Sequence, residues 1–399
     1  MKTKILAVSL VAATAAGLAF LPNHKPVGAG TRPPEVTILP VQQETPKIEV
    51  VFVLDTTSSM SGMIQTAKDK IWSIASTMAQ ADPAPEIRMG LIAFRDRGDD
   101  YITRTVDLSD DLDSMYATLM DFRAVGGGDG PESVNAALSD AINSIHWSDD
   151  QDTYRVVFLV GDAPPHMDYQ NDVAYPATIA LAREKGIVVN AIQCGRDQQT
   201  QTRWTHIAQL GGGEYFQVDQ SGGGVAMATP YDAKLAELSA ELDGTRLYYG
   251  DAEEKAARQR KVDAAEKLHS GASVASQARR AAFNASDSGH KNFVGEGELV
   301  DDVSSGLVDL FRMDEANLPA PLQAMAPEER EAVVKETAER RDALRQEIKE
   351  LSAQRDAFMK DKIAEMGGAE DSLDHKIHDT VRGQAAAKGI HYEADAVGY

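Results

Sequence analysis

At 399 residues the chain has room for two or three domains and a large core, and its 62 acidic against 40 basic side chains give a formal charge of -22. That balance excludes unassisted binding to nucleic acid or to anionic membranes, since both need a basic surface. The one cysteine, Cys194, excludes an intrachain disulfide and reads as a buried, inert thiol at the end of an apolar run.

Met1-Lys2-Thr3-Lys4 followed by apolar Ile5 to Leu21 has the layout of an export signal over 1–21, with small residues at Ala13-Thr14-Ala15 and Gly17-Leu18-Ala19. The expectation is an exported protein, periplasmic in a bacterium or extracellular. The alternative is an uncleaved N-terminal anchor, because the run approaches the length of a membrane span. No cysteine follows it to carry a lipid, and no other segment is long and apolar enough to cross a bilayer. Residues 22–46 are proline-rich and read as an extended linker.

Val50-Val51-Phe52-Val53-Leu54 is an unbroken apolar run, the pattern of a strand buried on both faces, and it ends in Asp55-Thr56-Thr57-Ser58-Ser59. Such a strand delivers one carboxylate and several hydroxyls to the carboxyl edge of a sheet. Oxygen ligands alone suit a hard divalent cation. The competing reading is a turn that caps the next helix. That helix places Ile64, Ala67, Ile71, Ile74 and Ala75 on one face. Beyond Pro83 and Pro85, Ile87 to Phe94 is a second strand pattern, and Tyr101 to Val106 alternates as an edge strand. Asp107 to Asp113 has calcium-like acidity but lacks the central glycine and terminal glutamate of an EF-hand, so helix capping explains it better.

Met115 to Phe122 and Val134 to Ile145 read as helices around the loop Gly126-Gly127-Gly128-Asp129-Gly130-Pro131-Glu132. Arg155 to Val160 is another buried strand, ending in Gly161-Asp162-Ala163-Pro164-Pro165-His166. Ile179 to Lys185 is a short helix closed by Gly186, Ile187 to Ile192 a strand, and Glu214 to Val218 a last one. This alternation predicts an α/β fold, a doubly wound, mostly parallel sheet covered on both faces.

Asp55-Thr56-Thr57-Ser58-Ser59 resembles the D-x-S-x-S metal-ion-dependent adhesion site (MIDAS) of von Willebrand factor type A (vWA) domains, with Thr57 replacing the first serine. The order of the acidic loops agrees, and Asp162 matches a metal-associated aspartate at the end of a vWA strand. Many vWA domains supply a threonine from the glycine-rich loop, and none is present here. The loop instead resembles the D-x-P-E loop of integrin beta-subunit domains. By that resemblance Glu132 is the third-loop ligand, and Asp129 is a partner of the ligands or binds a second cation. The likeness covers roughly 47–247 and is nearest to bacterial exported vWA proteins with D-T-T-x-S-M, G-G-G-D-x-P-E and G-D-A-P-P-H motifs. It implies that Thr57, Ser59 and Glu132 hold Mg²⁺ (Mn²⁺ or Ca²⁺ as alternatives), with Asp55 and Asp162 acting directly or through water.

Residues 248–399 change character to an α-helical region. Residues 248 to 283 are helical in spacing, Ala285 to Gly297 is a polar break, and Leu299 to Met313 is an amphipathic helix carrying Leu307, Leu310 and Phe311. Residues 328–366 form a long charged helix whose Val334, Leu344, Ile348, Leu351 and Phe358 follow a heptad seam interrupted by Thr337, Arg341, Arg355 and Lys362. A coiled coil and a helix folded back on the globular part both satisfy that pattern. Leu373 to Gly389 adds one more helix, where His375 and His378 read as solvated residues.

Phosphate loops, H-E-x-x-H and G-x-S-x-G motifs are absent from the sequence. His166 beside the third acidic loop reads as a structural hydrogen-bonding group. The expected function is metal-dependent protein binding, not catalysis. The expected partner is a protein that offers an acidic side chain, with nucleic acid excluded and membrane contact only through the N-terminal anchor. The alternatives are a metal-dependent hydrolase and an envelope assembly protein that works through its helical half.

Overall fold

β1 (Lys47–Asp55) is buried along its whole length after Lys47, and its side chains divide between two cores with strand periodicity. Val50, Phe52 and Leu54 enter one core, while Val51 and Val53 enter the other. This computed structural model describes residues 45–128, 130–218, 228–365 and 373–392. The export signal, nearly all of the linker, and Asp129 therefore lie outside the described residues.

β1 pairs in parallel with β2 (Glu86–Phe94) on one side and with β4 (Tyr154–Gly161) on the other. β3 (Thr103–Ser109) adds antiparallel to β2, while β5 (Ile187–Cys194) and β6 (Gly212–Val218) continue in parallel beyond β4. Among the described residues the sheet order is β3-β2-β1-β4-β5-β6. The chain first winds outward from β1 through β2 and β3, then returns to β1's other side with β4. The order reverses between β1 and β4, and a crevice at the carboxyl ends of such strands is where open α/β sheets bind ligands.

One face of the sheet is covered by α1 (Ile64–Met78) and α2 (Leu112–Asp121), with the Trp72 and Tyr116 rings packed at a 32° tilt, 4.9 Å between ring centroids. The other face is covered by α3 (Val134–Asn143), α4 (Tyr175–Glu184) and α5 (Gln198–Gly211), which contributes the fully buried Trp204. Each fully buried Val, Leu or Phe contributes roughly 1.5–3 kcal/mol, so these two cores dominate the stability of the sheet.

The helical region begins with α6 (Asp232–Asp243), α7 (Ala252–Gly271) and α8 (Val274–Ala285). α7 and α8 do not stand apart from the sheet. Leu268 and Phe283 belong to the same core as Trp72, and Phe283 meets the Trp72 ring edge-on at 5.8 Å. The polar break expected over Ala285 to Gly297 contains α9 (Asp287–Val294) instead, because Ser286 caps it by accepting from the Gly289 amide. The amphipathic helix expected from Leu299 to Met313 is only α10 (Leu299–Ser304), since Gly306 turns the backbone at φ +77°. Leu307 and Phe311 are consequently exposed.

After α11 (Ala320–Gln323), α12 (Pro327–Glu365) lies back along α6, α8 and α10, burying Val334, Leu344 and Ile348. Two of its three buried arginines, Arg341 and Arg355, explain the broken heptad. Arg341 donates to both Glu298 oxygens at 2.8 and 2.9 Å, and Arg355 donates to Asp232 at 2.8 Å. α13 (Leu373–Ala386) returns to the first sheet face, where Ile377, Val381 and Ala385 join the core with Ile390. His378, expected to be solvated, is 3% exposed and packs edge-on against Tyr392. No described helix is long and apolar enough to cross a membrane.

Candidate metal centre

Asp55 ends β1 fully buried, and the chain turns at once to bring its own hydroxyls back over the carboxylate. The Thr57 amide and Thr57 Oγ1 both donate to Asp55 Oδ1, at 2.9 and 2.6 Å. Ser59 Oγ donates to Asp162 Oδ1 at 2.8 Å and lies 3.0 Å from Thr57 Oγ1. Asp162 follows directly on β4, so two neighbouring strands supply the two ends of one chain of oxygens: Asp55, Thr57, Ser59, Asp162. Close strand contact requires Gly161, since a Cβ there would lie 2.5 Å from the Asp55 Cβ.

The protons in this chain are spoken for. Each hydroxyl has one O–H, and Thr57 directs its own to Asp55 while Ser59 directs its own to Asp162. With both carboxylates ionised, two O–H groups cannot serve all three of these short contacts, and a cation relieves the one left without a proton. Asp55 Oδ2 is also buried, with no hydrogen-bond partner among the described residues. Burial pushes the Asp55 carboxyl up to about 7, and the nearby Asp162 charge adds to the shift. Asp162 is raised too, again chiefly by burial. Two desolvated carboxylates and two electron-rich hydroxyls fit a hard divalent cation. Among the described residues no three His, Cys, Asp or Glu side chains converge as a metal-binding group, so the hydroxyls are essential to the donor set.

The glycine-rich loop is laced to this cluster through its backbone. Val125 N–H donates to Thr56 O and Ser58 N–H to Gly126 O, each at 3.0 Å. Gly127, at φ +79°, is wedged between Thr57 and Glu132: a Cβ there would lie 3.0 Å from Glu132 Oε1 and 3.2 Å from Thr57 Cβ. Glu132 is itself held by the loop after β4, donating its amide to Pro164 O and accepting from the His166 amide. The structure thus brings Asp55, Thr57, Ser59, Glu132 and Asp162 to one edge of the sheet. Asp129 lies outside the described residues. His166 has the structural bond expected of it, Nδ1 to Asp168 at 2.8 Å, and stacks on Tyr169. Cys194 is buried, and its thiol is raised well above the usual range by burial.

A fourth loop escaped the sequence reading. Arg95 and Asp96 follow directly on β2, so the third central strand also ends in charge at the carboxyl edge. Asp96 accepts from Ser133 Oγ and Tyr169 O–H, both at 2.8 Å, and Asp99 accepts from the Gly127 amide at 2.9 Å. These two acids tie the β2 loop to the Glu132 and His166 loops. The signal was present: Ile87 to Phe94 ends in Arg-Asp just as the Asp55 and Asp162 strands end in acids.

Residues 49–230 match the family model described as "von Willebrand factor A domain". The chain is 34% identical over 121 residues to von Willebrand factor A domain-containing protein 7 of Rattus norvegicus, and 32% identical to that of Homo sapiens. Each match covers 30% of this chain and 12% of the relative, so only a small share of those curated relatives is spanned. Among solved structures it is similar to proximal thread matrix protein 1 from the mussel byssus with a zinc-occupied MIDAS motif, at 16% identity and a TM-score of 0.34, covering 43% of this chain and 42% of that one. The SpRpn10 VWA domain is similar at 12% identity and a TM-score of 0.35, over 44% of this chain and 90% of that one.

Proposed function

We propose that the protein is a metal-dependent protein-binding module that takes Mg²⁺, or Mn²⁺ or Ca²⁺ in its place, at the carboxyl edge of the sheet. The observation that carries this reading is the Asp55–Thr57–Ser59–Asp162 chain, with two hydroxyl oxygens facing each other and Asp55 Oδ2 buried without a partner. Thr57 and Ser59 would hold the ion with Glu132, while Asp55 and Asp162 orient the hydroxyls and balance its charge. A bound cation would supply an open coordination position for a carboxylate of a partner protein. The residues themselves provide a rigid, laced platform of three loops, which suits docking better than a moving catalytic step. The charged and apolar stretch over 1–21 supports an exported location for this binding role.

Calorimetric titration of the whole chain with Mg²⁺ tests the assignment. Wild type is expected to bind one ion per chain, and Asp55→Ala to bind at least about tenfold more weakly, roughly 1.4 kcal/mol. Equal affinity in the two proteins would remove the Asp55 loop from the site.

A further inference from the structure

Beside the metal centre lies a cleft of about 430 Å³ lined by Arg95, Tyr101, Arg104 and Arg123. In a chain of net charge -22, two guanidinium groups over one tyrosine with a third, Arg123, on the same cleft outnumber its two acids, Asp100 and Asp121. Arg95 is 6% exposed, stacks over the Tyr101 ring at 4.4 Å, and leaves its Nε without a hydrogen bond among the described residues. Its Nη2 donates to Arg123 O at 3.1 Å, which fixes the floor of the cleft. Arg104 lies over the same ring at 5.8 Å. Arg104 and Arg123 are exposed, and among the described residues their side chains make no ion pair. Of the acids on the cleft, Asp121 is engaged by Lys267 at 2.5 Å, and Asp100 stands 3.6 Å from Arg95 with 90% of its side chain in solvent. Neither closes the cleft.

Thr56 joins the cleft to the metal loop. Lying between Asp55 and Thr57, it bonds the Tyr101 hydroxyl at 2.8 Å and accepts from the Val125 amide. Exposed Ile102 follows Tyr101 in the chain, and exposed Val125 bonds Thr56 through its amide. Apolar neighbours of this kind favour a polypeptide over a bare inorganic anion.

We infer that the arginine cleft is a second docking point for the same partner, taking an Asp or Glu side chain of an acidic segment that also reaches the metal centre. The inference rests on the protein-binding reading for the identity of its occupant, while its chemistry is independent of the metal. A planar guanidinium grips a carboxylate through paired N–H donors, and a tyrosine face holds that guanidinium in place.

The test measures fluorescence anisotropy of a labelled alternating Glu-Ala peptide on the full chain, in Mg²⁺ and in EDTA. Wild type is expected to bind the peptide in EDTA and more tightly in Mg²⁺. Arg104→Ser with Arg123→Ser should weaken binding about tenfold in both conditions, while Asp55→Ala should lose only the Mg²⁺ increment. An alternating Gln-Ala peptide should not bind, and inorganic phosphate should compete only weakly. If the arginine variant binds like wild type while Mg²⁺ still matters, the cleft assignment fails and the metal reading survives. If binding depends on the arginines but not on Mg²⁺, the metal reading fails and the cleft stands. Phosphate competing as well as the peptide would reduce the cleft to a general anion site and overturn the polypeptide occupant.

Discussion

Asp55 concentrates the chemistry of the site in one side chain, and its protonation makes the site sensitive to pH. Its carboxyl is raised to about 7 by burial, so near neutrality without metal it is about half protonated. A cation competes with that proton, because ligating carboxylates must be ionised. Mg²⁺ affinity is therefore expected to be nearly constant above about pH 8 and to fall by up to about tenfold per unit below pH 7, as one proton is displaced. The sign for folding is opposite. A raised folded-state value means that the native chain holds a proton which the unfolded chain has released. This group's contribution to metal-free stability is present below about pH 4 and is lost as pH rises through about 7. Calorimetry of Mg²⁺ binding at pH 6, 7 and 8, repeated on Asp55→Ala, reads the first effect directly. A flat affinity profile in wild type would mean that Asp55 is not coupled to the ion.

Among the elements, the seam between α2, α6 and α8 depends on a buried charge cluster. Arg280 donates to both Asp113 oxygens at 2.7 and 2.6 Å and to Asp243 at 2.7 Å. Asp113 is held below the usual carboxylate range, burial being outweighed by Arg280, and Asp243 is lowered by Arg280 and Arg246. Removing the guanidinium leaves buried Asp113 with only Arg246 at 3.9 Å among the described residues, while Asp243 keeps Arg246 at 3.0 Å, and stranding Asp113 costs roughly 3–5 kcal/mol. Arg280→Met is thus expected to lower stability by that order in urea unfolding, and a loss below about 1 kcal/mol would contradict this account of the seam. Sequence patterns revealed the sheet well because each central strand is apolar on both faces, which leaves little ambiguity. They revealed the helical half poorly for an equally physical reason. Arg280, Arg341 and Arg355 look like surface residues in a charged helix, and only their distant partners Asp113, Glu298 and Asp232 make them interior. Likewise Ser286 and Gly306, a cap and a left-handed turn, decide where α9 begins and α10 ends, and neither interrupts the hydrophobic pattern.

For the whole molecule, residues 45 onward form one compact unit rather than a sheet domain with a helical appendage. The strand patterns and candidate ligands all fall before residue 247, which from sequence pictures that part as self-sufficient. The shared core changes the expectation: a fragment ending at Thr245 would uncover Trp72, leave Asp113 without Arg280, and bare the surface that α13 covers. Such a fragment is expected to aggregate on expression, whereas a soluble fragment with wild-type melting would show that the helices only decorate the sheet. The candidate site was legible because Asp55, Glu132 and Asp162 each follow a strand or a glycine turn. The β2 loop was only half legible: its strand ends in Arg95-Asp96 like the other acid-ended strands, but Asp96 and Asp99 act by bonding other loops, which no local spacing announces. The most direct test of the central claim is anomalous diffraction from crystals of the full chain grown with Mn²⁺. A single strong peak about 2.1–2.2 Å from Thr57 Oγ1 and Ser59 Oγ is the predicted result. A peak elsewhere on the molecule, with nothing at the Asp55 loop, would contradict it.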